Sequence, residues 1–174
     1  MWISLIILLL LIFIYYAYGT YFKEYFEVKK IYKTLQHVLD TRDVLLLKLS
    51  GEKTNKKEYA KVVMLIDERK KTKNSGYTVR MNADVNLNSE LKNFYPKISK
   101  ILNNPISKEV FKRIIELEKQ AKKIRTAYNV AVEKYNNNLI LHKDVCIKII
   151  HMKPLDIYRI WESYNYIFLI GLYI

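Results

Sequence analysis

Turn-forming residues are scarce in this sequence. Its 174 residues include four glycines and three prolines. A β-sandwich or a βαβ fold needs far more of both for its turns, so neither is expected. There is one cysteine, Cys146, which permits neither an internal disulfide nor a four-thiolate zinc site. No glycine-rich phosphate loop, nucleophile elbow or histidine–acid–serine arrangement is present, so no reaction class is indicated. Acidic groups are outnumbered, 17 against 30 basic ones, for a net charge of +13. The excess sits in the middle of the chain and favours anionic surfaces.

Charge is missing altogether from Trp2 to Phe22. At 1.5 Å per residue, a helix over this run is long enough for a hydrocarbon core of about 30 Å. Tyr15, Tyr16, Tyr18, Tyr21, Phe22 and Tyr25 gather at its C-terminal end, the placement of an aromatic belt at the headgroups. No lysine or arginine precedes the run, so it lacks the basic start of a cleaved signal peptide. Residues 1–22 are therefore expected to be a retained transmembrane anchor. Lys23, Lys29, Lys30 and Lys33 follow it closely. The positive-inside rule then puts the N-terminus outside and the rest of the chain in the cytoplasm, at the cell membrane.

What the sequence has in quantity is lysine, leucine, isoleucine and glutamate, a composition suited to long helices. Val28, Ile31, Leu35, Val38, Arg42, Leu45 and Leu49 recur at alternating steps of three and four, one face of a helix, which Gly51 closes. A second helix is expected from Asn55, with Glu58 as its capping-box partner, ending before Gly76. A third, short helix carries Leu87, Leu91 and Phe94, capped by Asn88 or Ser89 and stopped by Pro96 at about Tyr95. The fourth, opened by Pro105, has the longest pattern: Val110, Ile114, Leu117, Ala121, Ile124, Tyr128, Ala131 and Tyr135. The expected fold class is all-α: an N-terminal transmembrane helix followed by an antiparallel up-down-up-down helical bundle.

The segment Ala127–Asn136, AYNVAVEKYN, resembles the signature near the C-terminus of the LemA family. Tyr95-Pro96 is similar to that family's tyrosine-proline turn. Met152-Lys153-Pro154 with Tyr158 resembles its closing motif, and Arg42-Asp43-Val44-Leu45 its motif late in the first helix. The resemblance implies an antiparallel bundle on a membrane anchor, with no established biochemical activity. It divides the chain into the anchor 1–22, a LemA-like bundle 23–160 and an apolar C-terminal tail 161–174. It also marks Arg42, Asp43, Tyr128, Asn129, Tyr135 and Asn136 as motif residues with structural roles.

The candidate sites are few. Arg42 stands in an otherwise apolar stripe and needs a partner, for which Glu116 or Glu118 of the fourth helix is expected. Tyr128 and Tyr135 are expected to fill the bundle seam, with Asn129 and Asn136 bonding a neighbouring backbone. Asp67, Glu68, Glu116 and Glu118 lie among lysines and read as solvated faces. The basic run Arg69, Lys70, Lys71 and Lys73 is the best binding feature. With Lys143, Lys148 and Lys153 it forms the expected contact with anionic lipid. The tail, rich in aromatic and aliphatic residues, is expected to lie in the membrane interface. The partners expected are the lipid bilayer, with other membrane proteins or self-association as further ones. Aromatics do not interleave the basic run, so nucleic acid is not expected. No cofactor, metal or catalytic activity is expected, and the function read is binding or scaffolding at the cytoplasmic membrane face. The alternative is a metal-dependent or other enzyme using His142, Cys146 and His151. His142 and Cys146 would share a helical face, though two ligands alone hold a metal poorly.

Overall fold

A computed structural model of the chain describes residues 2–51, 56–102, 104–141 and 153–158. They form helix α1 (Trp2–Ser50), α2 (Lys56–Lys71), a 3-10 turn (Thr72–Asn74), α3 (Tyr77–Ile101) and α4 (Pro105–Leu141). Among the described residues there is no strand, and the protein is all-helical, as a bundle requires. The described residues fall into two compact units. One holds residues 2–34, 126–141 and 153–157; the other holds 35–51, 56–102, 104–125 and Tyr158. This partition cuts across the expected range 23–160.

In the second unit the core is a cluster including Leu46, Leu49, Tyr59, Ile66, Leu87, Leu91, Phe94, Ile98, Phe111 and Ile114. Helices α2 and α3 pack antiparallel. Tyr59 meets Phe94 edge-on at 4.9 Å, Lys61 pairs with Glu90 at 2.5 Å, and Arg69 pairs with Asp84. Pairing thus moves up one helix as it moves down the other. In the first unit Tyr25 meets Tyr135 at 6.1 Å and Tyr32 meets Tyr128 at 5.8 Å, which lines the middle of α1 against the later part of α4 in opposite directions.

The buried stripes lie one flank away from those expected. Along α1 the buried residues are Val28, Tyr32, Leu35, Leu39, Arg42, Leu46 and Leu49, while Ile31, Val38 and Leu45 are half-buried. Every seventh residue is shared by the two patterns; the intermediate ones change side. Along α4, Ile114, Leu117, Ala121, Tyr128 and Tyr135 are buried as expected, joined by Phe111, Glu118, Val132 and Leu139. Ile124 is only half-buried.

Helix α3 is the largest departure. It starts at Tyr77, directly after Gly76, and continues through Pro96 to Ile101. Its buried face runs Arg80, Met81, Asp84, Leu87, Leu91, Phe94, Tyr95 and Ile98. Two of those inward positions are charged, and an apolar pattern alone begins too late. A proline inside a helix costs about 3 kcal/mol. Burial of Ile98 just beyond it, about 1.5–3 kcal/mol for such a side chain, together with the neighbouring Tyr95, offsets that cost. Gly51 does end α1, its N–H reaching the carbonyls of Leu47 and Lys48, both at 3.3 Å.

Every large apolar side chain from Trp2 to Tyr16 is exposed, the least so being Ile14 at 39%. Among the described residues no helix is long and apolar enough to cross a membrane. This exposed apolar run from Trp2 to Tyr16 covers about 22 Å at 1.5 Å per residue. The tail 161–174 lies outside the described residues.

Candidate functional site

The polar residues of greatest burial converge in the second unit. Arg42, 1% exposed, gives Nε and Nη2 to Asp43 Oδ1 at 2.9 and 2.7 Å. Its Nη1 goes to Asn88 Oδ1 and Glu118 Oε1, both at 2.7 Å. Arg69, equally buried, donates Nε to Asp84 and Nη2 to Gln36 Oε1 at 2.6 Å; its Nη1 reaches Asp43 Oδ2 at 2.9 Å and Asp40 Oδ1 at 2.5 Å. Asp43 therefore joins the two guanidinium groups, one on each carboxylate oxygen. Asp84, fully buried, also accepts from the Tyr158 hydroxyl and from Gln36 Nε2 at 3.1 Å. Tyr95 donates its hydroxyl to Glu118 Oε1 at 3.0 Å, and Arg80 reaches Asp40 at 3.2 Å. Arg125 lays its guanidinium over the Tyr158 ring at 5.5 Å. Its Nε and Nη2 are buried without an acceptor, so the ring face and the charge of Glu118 are what compensate them.

Four arginines thus meet four carboxylates: Arg42, Arg69, Arg80 and Arg125 against Asp40, Asp43, Asp84 and Glu118. The electrostatics follow from the pairing. Burial opposes the Arg42 charge, but Asp43 and Glu118 outweigh it and hold its pKa well above the ordinary value. Arg69 is likewise raised, burial being overcome by Asp84 and Asp43. Burial alone would raise Glu118, yet Arg42 and Arg125 bring it below the usual carboxylate range. Burial, then Glu118, pushes the Tyr95 hydroxyl well up; burial, then Asp84, does the same to Tyr158. Both tyrosines stay protonated and donate. Such a site has its carboxylates engaged by fixed cations and its hydroxyls locked as donors. It is suited to setting helix register.

Arg69 is a correction to the sequence reading. It points into the protein and bonds four side chains, so it cannot be a lipid contact. An arginine fork suits a buried multiple ion pair where a lysine does not, and only six arginines occur, at 42, 69, 80, 113, 125 and 159. Four of them build this network. In a lysine-rich chain, that rarity was the signal for Arg69 and Arg80. Asp84 carried another: it falls in step with Leu87 and Leu91 on the buried face of α3. Glu118 is also corrected, being buried and not a solvated face; of the two partners expected for Arg42 it is the one that pairs, while Glu116 pairs with Arg113 at 2.8 Å on the surface. Asp67 and Glu68 are exposed.

Lys70, Lys71 and Lys73 are exposed, as is Lys153, and Lys71 pairs with Asp67 at 2.8 Å. Lys143 and Lys148 lie outside the described residues, as do His142, Cys146 and His151. Among the described residues no group of three histidine, cysteine, aspartate or glutamate side chains could hold a metal ion.

The motif residues of α4 act in the first unit. Residues 153–157 follow in neither helix nor strand. Asn136 Nδ2 donates to the Leu155 carbonyl at 2.8 Å and its Oδ1 accepts from the Leu155 N–H at 2.9 Å. Tyr135 donates its hydroxyl to the Lys153 carbonyl at 3.2 Å and Tyr128 to the Asp156 carbonyl at 3.3 Å. Both tyrosine rings are buried, and Asn129 is half-buried. The backbone that Asn136 bonds belongs to this segment. Nearby, Glu24 accepts from Asn138 Nδ2 at 2.7 and 2.8 Å and from Lys134 at 3.3 Å.

Comparison with known proteins returns no family model, no curated protein and no solved structure that matches the chain.

Proposed function

We propose that this chain is a membrane-anchored, LemA-like helical-bundle protein that acts by binding or scaffolding at the cytoplasmic membrane face, and not by catalysis. One observation carries the reading: the exposed apolar surface at the start of α1, from Trp2 to Tyr16. Each large aliphatic side chain kept in water forgoes about 1.5–3 kcal/mol of burial. A stretch of such residues on every side of one helix is stable only within a lipid or protein environment. The sequence carries the uncharged run on to Phe22 within the same helix, which lengthens the exposed apolar stretch towards a full span.

Orientation rests on Lys23, Lys29, Lys30 and Lys33. The up-down-up-down arrangement draws support from the antiparallel pairing of α2 with α3 and from the brief connection before Pro105. Lys70, Lys71, Lys73 and Lys153 offer exposed cations for anionic lipid, to which Lys143 and Lys148 add by sequence. A non-catalytic role is favoured because the buried carboxylates are engaged by arginines and tyrosines. Family membership rests on the AYNVAVEKYN segment and its companion motifs.

The test is a topology measurement. In a Cys146→Ser background, Lys70→Cys should react with a membrane-impermeant maleimide only after the cells are permeabilised. Labelling in intact cells would refute the orientation.

A further inference from the structure

Beyond the anchor, one face of α1 turns from aromatic to cationic without entering the core. Phe22, Phe26, Lys29, Lys30 and Lys33 fall at i, i+4, i+7, i+8 and i+11, the spacing of a single helical stripe. Phe22 and Phe26 meet at 5.9 Å, and Tyr25 joins them at 6.5 and 6.0 Å. Phe26 is 57% exposed; Lys30 and Lys33 are exposed, and Lys29 is half-buried. The carboxylate of this stretch nearest the anchor is turned away. Glu24 is buried on the opposite side of the helix, where Asn138 and Lys134 of α4 hold it. Glu27 is exposed but stands off the line of the stripe. The stripe itself carries rings first and then three cations.

At 1.5 Å per residue, a helix that enters the bilayer at Trp2 has crossed about 30 Å of hydrocarbon near Phe22. Phe22 and Phe26 then stand at the headgroups, and the lysines begin about 10 Å further out. Side chains on a helix lean towards its N-terminus, here towards the bilayer. Long lysine stems can therefore reach back and bring their ammonium groups to the level of the phosphates. We propose that Phe22, Phe26, Lys29, Lys30 and Lys33 form a binding site for the headgroup of an anionic phospholipid, the rings setting its depth and the ammonium groups taking its phosphate. Continuity argues for this occupant. The stripe prolongs the exposed apolar surface of Trp2 to Tyr16 on the same helix, so the lipid that covers the one reaches the other. The site rests on the anchored reading and adds a lipid class to it. It draws on none of the lysines of α2.

The experiment reconstitutes the full chain in phosphatidylcholine vesicles that carry a trace of spin-labelled phosphatidylglycerol or spin-labelled phosphatidylcholine. Electron paramagnetic resonance measures how much of each label the protein restricts. Phosphatidylglycerol should be favoured about threefold in dilute buffer, and the preference should vanish at about 1 M salt, where the Debye length is about 3 Å. Lys29→Gln, Lys30→Gln and Lys33→Gln together should bring the ratio to about one. Lys70→Gln, Lys71→Gln and Lys73→Gln together should leave it unchanged. Equal restriction of the two lipids, as expected of a stripe kept for a protein partner, would overturn the proposal. So would a preference that survives the three substitutions in α1, or one that is lost with those in α2. Carbonate washing of each set of vesicles reports on the anchor separately. A chain that the wash removes overturns the anchored reading together with the site; a chain that resists it and shows no preference overturns the site alone.

Discussion

Arg42 and Glu118 stand 76 residues apart in the chain and meet at 2.7 Å. Their pairing joins α1 to α4, and Tyr95 of α3 completes it by donating to the same carboxylate oxygen. Three helices are therefore indexed against one another by one charged contact. A shift of any of them by a single residue would strand a buried charge, an error costing several kcal/mol.

The adjacent residues Arg69 and Lys70 separate a core role from a surface one. Arg69→Ala would leave Asp84, Asp43 and Asp40 without a shared cation and should cost about 3–5 kcal/mol. Lys70→Ala should stay within about 0.5 kcal/mol. Thermal unfolding of the full chain in micelles, followed by circular dichroism, measures both. Equal effects would contradict the network.

How much of this was legible follows residue by residue. Gly51 and Pro105 announced the end of α1 and the start of α4, because each acts through local backbone chemistry. The shared positions 28, 35, 42, 49 and 114, 121, 128, 135 were legible from periodicity alone. The flanking choice between Val38 and Leu39, or between Ala131 and Val132, was not. Both sides of a broad apolar face look alike until the neighbouring helices select one. Arg42 betrayed itself by interrupting aliphatic residues. Arg69 did not, because Lys70, Lys71 and Lys73 surround it and its partners lie on other helices. The role of Asn136 was half legible: a backbone partner was expected, but no local pattern pairs α4 with Leu155.

Acid and alkali should act through different members of the site. Glu118 is held below its ordinary pKa, so its contribution is complete above the unfolded value of about 4.3 and is lost as pH falls further. Tyr95 and Tyr158 are raised, so theirs is complete below about 10 and is lost as pH climbs through their folded values. Urea midpoints should be level between about pH 6 and 9 and decline on both sides. Tyr95→Phe should soften the alkaline limb and leave the acid limb in place. A steep change between pH 6 and 9 would contradict this assignment.

The rotated stripe of α4 predicts a contrast between positions three residues apart. Ala121 is fully buried, whereas Ile124 is half-buried. Ala121→Asp should place an unpaired charge in the core at a cost of several kcal/mol, and Ile124→Asp should cost clearly less. Denaturant unfolding of the two variants would show the order, and the reverse order would put the helix in the wrong rotation.

Membrane attachment through the start of α1 is the central claim, and alkaline carbonate washing of cell membranes tests it most directly. The full chain should remain in the pelleted membranes, and a chain lacking residues 2–16 should appear in the wash. Release of the full chain into the carbonate supernatant would contradict the account.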